Sequence, residues 1–106
     1  MAHSIDVHDI EEFEKLATSK DLEMAKAIVN TILENLTTKK RHIHVLEVYI
    51  KSTYSVFDLT VDRNNFVDTL EKNLKIFEHH EMYEDCAEVV EAIDYLKTNI
   101  GDDSLN

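Results

Sequence analysis

The densest set of chemistry-bearing residues in the chain is the run His79-His80-Glu81-Met82-Tyr83-Glu84. His80 and Glu84 stand four apart, the spacing at which two side chains share one face of a helix. The run departs from the two-histidine zinc pattern HExxH at its last position, where Glu84 replaces the second imidazole. A small metal-dependent enzyme using His80 and Glu84 is therefore the weakest of three functional readings. Solvated groups and caps at a helix junction explain the same residues.

Other chemistry has less to build on. The candidate nucleophiles are Cys86, Ser52, Ser55 and Ser104, and none sits in a glycine-framed elbow or beside a suggestive histidine. One glycine and no proline leave nothing for a phosphate-cradling loop. His42 and His44 flank Ile43 and would lie on different sides of a helix, while His3 and His8 belong to a loose N-terminus. The expectation is no catalytic residue, no metal and no cofactor. Cys86, the only cysteine, reads as a small core residue.

The carboxylates carry more. Glu78, Glu81, Glu84, Asp85, Glu88, Glu91 and Asp94 run through the last hairpin, and the whole chain holds 22 acids against 11 bases, a net charge of −11. Residues 1–36 have eight acids and three bases, residues 37–63 three and five, and residues 64–106 eleven and three. A surface so negative repels phosphate backbones, so direct nucleic-acid binding is not expected. The first reading is a non-enzymatic protein-binding module or inhibitor that docks an acidic helical surface on a partner with a basic one. Its expected contact residues are Glu81, Tyr83, Glu84, Asp85, Glu88 and Glu91. The second is a nucleic-acid mimic blocking a DNA- or RNA-handling enzyme, such as a restriction or CRISPR effector, because carboxylate ridges on a helix approach the spacing of backbone phosphates.

Lys39-Lys40-Arg41, with His42 and His44, is the one basic cluster. At the end of a helix these bases suit the dipole. They also suit the acids of a second copy, which gives a homodimer as the other partner to expect.

The elements that position these groups follow from apolar spacing. At 106 residues the expectation is one domain spanning 1–106, and glycine and proline scarcity favours helices over sandwiches and barrels. A first helix, capped by Ser4 or Asp6, carries Ile10, Phe13 and Ala17 with Leu16 flanking. A second, capped by Ser19, carries Leu22, Ala25, Val29, Ile32, Leu33 and Leu36. Residues 42–61 are rich in β-branched and aromatic side chains, and Phe57, Leu59 and Val61 alternate with Val56, Asp58 and Thr60. Ile43, Leu46, Ile50, Tyr54 and Phe57 nevertheless make a helical stripe with no hairpin turn residues between, so this segment is read as a third helix.

A fourth helix, capped by Asp62 or Asn64, carries Phe66, Leu70, Leu74 and Phe77, with Asp68/Lys72 and Glu71/Lys75 as i,i+4 pairs. A fifth carries Tyr83, Cys86, Ala87, Val90 and Ile93 on one face, widened by Val89 and Leu96. It should stop near Gly101, with residues 101–106 frayed. The predicted fold is all-α: four or five helices packed as antiparallel hairpins. Phe13 to Ile32 and Leu74 to Ile93 also match apolar to apolar at seven positions offset by 61, as any two amphipathic hairpins can. No apolar run approaches the roughly 18 residues of a membrane span and no signal peptide opens the chain, so cytoplasmic residence is the expectation.

Within the last helix, Tyr83-Glu84, Ala87, Ile93 and Leu96 resemble the pattern of UVR-type helical hairpins over about 15 residues. That resemblance implies protein docking of the kind those hairpins perform in repair and protease-adaptor proteins. Val90-Glu91 stands where that motif has Arg-Asp. Short, acidic and glycine-poor, the chain is also similar in general look to accessory and host-takeover proteins of large tailed phages.

Overall fold

The computed structural model describes residues 3–19 and 21–104. In order along the chain lie β1 (His3–Val7), α1 (Ile10–Thr18), α2 (Leu22–Glu34), β2 (His42–Ile50) and β3 (Ser55–Asp62). A single 3₁₀ turn (Arg63–Asn65) then leads into α3 (Phe66–His79) and α4 (Tyr83–Ser104). Among the described residues, four α-helices and a three-stranded mixed sheet replace the expected all-α bundle.

The sheet has the order β1-β2-β3, with β1 parallel and β3 antiparallel to the central strand. Parallel pairing requires a long crossover, and α1 with α2 supplies it. In β1 the pattern is a short alternation: Ser4 and Asp6 are exposed, Ile5 is half-buried and Val7 is buried. Ser4 and Asp6, read as helix caps, are thus outward strand residues, and the N-terminal segment holding His3 is a strand rather than a loose end.

The segment 42–61 is a hairpin, and one residue explains its helical appearance. The register between β2 and β3 shifts between His44 and Leu46, leaving Val45 as the extra residue of a bulge. Val45 and Leu46 are both buried, as are Ile43, Val48 and Ile50. The bulge breaks the period of two, so Ile43, Leu46 and Ile50 fall at three- and four-residue intervals that imitate a helix stripe. The turn, residues 51–54, uses no glycine. Tyr54 takes the left-handed conformation instead, at φ 53°, with 95% of its surface exposed.

The helices cover one face of the sheet. Among the described residues the buried apolar side chains form one cluster, with Phe66, Phe77, Leu70, Ile32, Leu46 and Val89 at its centre. Phe13 of α1 meets Phe57 of β3 edge to ring at 5.4 Å, although α1 buries no residue completely. The helix caps differ from those expected. Asp9 accepts from the Glu12 N–H at 2.9 Å while the Glu12 carboxylate accepts from the His8 N–H at 2.7 Å, a variant of the capping box. Asp21, not Ser19, caps α2, through the Met24 N–H at 3.0 Å. Asp62 caps the 3₁₀ turn, and Asn65 precedes α3 without a side-chain cap.

The Asp68–Lys72 pair forms at 3.1 Å, whereas Glu71 lies 4.0 Å from Lys97 of α4. α4 continues past Gly101 to Ser104, so that glycine ends nothing; Leu105 and Asn106 lie outside the described residues. Of the two segments matched at offset 61, only α3 and α4 pack as a helical hairpin; α1 lies against the sheet, with Phe13 on Phe57, and makes little contact with α2. Tyr83 is also exposed where its counterpart Leu22 is half-buried.

Candidate docking face

α3 and α4 meet at His80-Glu81-Met82, where the sequence places the junction. The Met82 N–H donates to the Phe77 carbonyl at 2.9 Å and the Glu81 N–H to the Glu78 carbonyl at 3.1 Å. These two bonds are those of a Schellman stop, and they require a left-handed residue, here Glu81 at φ 56°. The carboxylate at this position is therefore held at the turn, one step outside the helix.

α4 buries Val89, Ala92, Ile93 and Leu96 against α3 and the core, with Cys86 half-buried at the border. The helix is rotated relative to the stripe expected from the sequence. Tyr83, Ala87 and Val90, expected inside, face water: Tyr83 is 72% exposed and Val90 46%. Spaced at i, i+4 and i+7, they form an outward apolar line. Glu84, Glu88, Glu91 and Asp94 are all exposed on the same helix, and Asp85 is half-buried. Of the expected contact residues, the structure thus groups Tyr83, Glu84, Glu88 and Glu91 on one exposed helix, while Glu81 stands at its entry and Asp85 turns partly inward.

His79 and His80 are both exposed, and their rings contact edge to face at 5.3 Å. Among the described residues no three His, Cys, Asp or Glu side chains come together to hold a metal ion. Burial, and then the charges of Glu78 and Asp85, push the Cys86 thiol above its ordinary pKa, away from a reactive thiolate. The strand geometry does place His42 and His44 on one face, contrary to the helical reading. His42 Nδ1 lies 3.6 Å from Asp62. These histidines, with Lys40, Glu47, Thr31 and Asn35, border a polar hollow of about 540 Å³.

The uncovered face of the sheet was missed at the sequence level. Asp6 is in register with Tyr49, and Asp58 stands opposite Glu47. The Tyr49 hydroxyl donates to Glu47 Oε2 at 3.2 Å. Charge on Glu47 and this hydrogen bond, with smaller effects of burial, Asp6 and Asp58, raise the Tyr49 pKa above 10.0. The signal was the alternation in β3, outvoted by the pseudo-helical spacing of β2.

A groove runs between α4 and the α2–β2 connection. One part, about 390 Å³, is bordered by Leu33, Leu36, Thr37, Glu88, Glu91, Ala92 and Tyr95. The next, about 600 Å³, shares Leu36, Thr37 and Tyr95 and adds Lys39, Arg41, His42 and Arg63. Arg63 is also the anchor of this corner. Its guanidinium donates to the carbonyls of Lys40 (2.7 Å), Asn35 (3.0 Å) and Leu36 (3.3 Å) and to Thr38 Oγ1 (3.0 Å), and it lies 4.8 Å from the centre of the Phe66 ring.

Among the described residues no helix is long and apolar enough to cross a membrane. Comparison with protein-family models, curated proteins and solved structures finds no match, so the UVR-type resemblance rests on its quoted residues alone. Of those, Tyr83, Glu84 and Ala87 are exposed and Ile93 and Leu96 are core.

Proposed function

We propose that the chain is a non-enzymatic, cytoplasmic protein-binding module, and that it docks the outward face of α4 on a partner protein with a basic surface. The observation that carries this reading is the exposed line Tyr83, Ala87, Val90 on a helix that also presents Glu84, Glu88 and Glu91 to solvent. Apolar anchors among charges are the usual composition of a helix docking surface, with an aromatic such as Tyr83 the natural energetic centre. The carboxylates supply steering toward a cationic partner, and the net charge of −11 extends that field. Mimicry of nucleic acid is the weaker reading, because the apolar line interrupts the carboxylates.

The test uses the full chain and its Tyr83→Ser/Val90→Asp variant as baits in a lysate of cells that carry it. A protein held by the first and lost from the second, released by salt and indifferent to added duplex DNA, supports docking. Retention by the variant overturns it. Displacement of the partner by duplex DNA overturns it in favour of mimicry.

A further inference from the structure

We propose that two copies of the chain associate about a two-fold axis through the groove between α4 and the α2–β2 connection, each copy's acidic end meeting the other's basic end. The groove is polarised. Glu88 and Glu91 border one end. Lys39, Arg41 and Arg63 border the other, where the one carboxylate, Asp62, lies beside His42, and Leu36 and Tyr95 lie along the groove's length.

The charges of Glu88, Glu91, Lys39 and Arg41 are uncommitted. All four side chains are exposed, and among the described residues none forms an ion pair within its own chain. The bases are not needed at the end of α2 either. Arg63, arriving from beyond β3, already takes the Asn35 and Leu36 carbonyls there, and the last turn of α2 holds neither Lys39 nor Arg41.

Geometry then selects the occupant. A two-fold interface places the same patch on both subunits, so it must be self-complementary. A patch acidic at one end and basic at the other meets that condition, because the rotation carries each end onto its opposite. A head-to-head arrangement would set like charges together, which costs several kcal/mol at an interface. The excess of acids elsewhere opposes association in general, so this groove is where a second copy finds attraction.

This inference does not rest on the docking reading: the two share Glu88 and Glu91, but docking is carried by the outward line of Tyr83, Ala87 and Val90, which lies outside the groove. The experiment is light scattering on the full chain at on the order of 100 µM. In dilute salt, the expected mass is twice the 12.3 kDa of one chain, falling toward 12.3 kDa at about 1 M salt, where screening reaches about 3 Å. Glu88→Lys/Glu91→Lys makes both ends basic and Lys39→Glu/Arg41→Glu makes both acidic, so each variant alone is expected to be monomeric. An equal mixture of the two is expected to restore the dimeric mass, which also shows that both variants are folded. Val90→Ser should leave the mass unchanged. A monomer in dilute salt, or a mixture that stays monomeric, overturns the proposal.

Discussion

Arg63 Nη2 donates to the Asn35 carbonyl at 3.0 Å, so a residue that follows the last strand closes the C-terminus of the second helix 28 positions earlier in the chain. α2 has no base in its own last turn. The planar fork meets the carbonyl of the cap residue Asn35 and that of Leu36 just beyond it, and also binds Thr38 and Lys40. Arg63→Ala is expected to cost roughly 2–3 kcal/mol, the range for losing charge-assisted hydrogen bonds that leave part-buried acceptors unmet. Arg63→Lys should recover less than half, because an ammonium cannot span four acceptors. Urea unfolding with an unchanged m-value would measure both. A loss below about 0.5 kcal/mol for the alanine variant would mean that water replaces the fork.

How much of this was legible in the sequence divides along physical lines. α2, α3 and α4 are long enough for the helical period to declare itself, and their junctions fall where polar residues interrupt it. β1 is five residues long, too short for its alternation to outweigh Ser4 and Asp6 as apparent caps. β2 was hidden by the bulge at Val45, and its turn by a tyrosine where glycine or asparagine is usual. The acidic character of α4 was plain. Its rotation was not, because Val89 and Val90 are identical residue types on adjacent positions, and only the packing against α3 decides which is core.

Glu81 offers a test of the left-handed stop. A non-glycine residue in this conformation costs about 1–2 kcal/mol, part of which glycine returns as unfolded-state entropy. Glu81→Gly is therefore expected to raise stability by up to about 1 kcal/mol, a gain of several degrees in Tm for a chain of this size. It should leave any partner affinity that depends on α4 nearly intact. A drop in Tm would show that the Glu81 side chain contributes more than the strain it carries.

The outer sheet face gives a pH dependence with a definite sign. Glu47, Asp6 and Asp58 hold the Tyr49 proton more tightly in the folded chain than in the unfolded one. The contribution is thus fully present below pH 10 and is lost as pH rises through the elevated folded value. Absorbance titration should place one tyrosine above 10, and Glu47→Gln should bring it down, since both the nearest charge and the acceptor of the Tyr49 hydroxyl change together. If Glu47→Gln leaves that tyrosine where it was, the carboxylate is not the cause.

The rotation of α4 can be read directly from stability. Leu96 is buried in the core, and Leu96→Ala is expected to cost about 3 kcal/mol, the usual loss for removing a packed leucine without full collapse of the cavity. Val89→Ala, at a site with no exposed surface, should cost about 2 kcal/mol by the same mechanism. Val90→Ser and Tyr83→Ser, on the outward line, should each stay within about 0.5 kcal/mol of the parent. Under the stripe expected from spacing alone, Tyr83 and Val90 would have been core and these two serines would have been the damaging ones. Thermal melts of the four variants separate the arrangements, and a large loss at Val90 or Tyr83 would remove the exposed line on which docking is built.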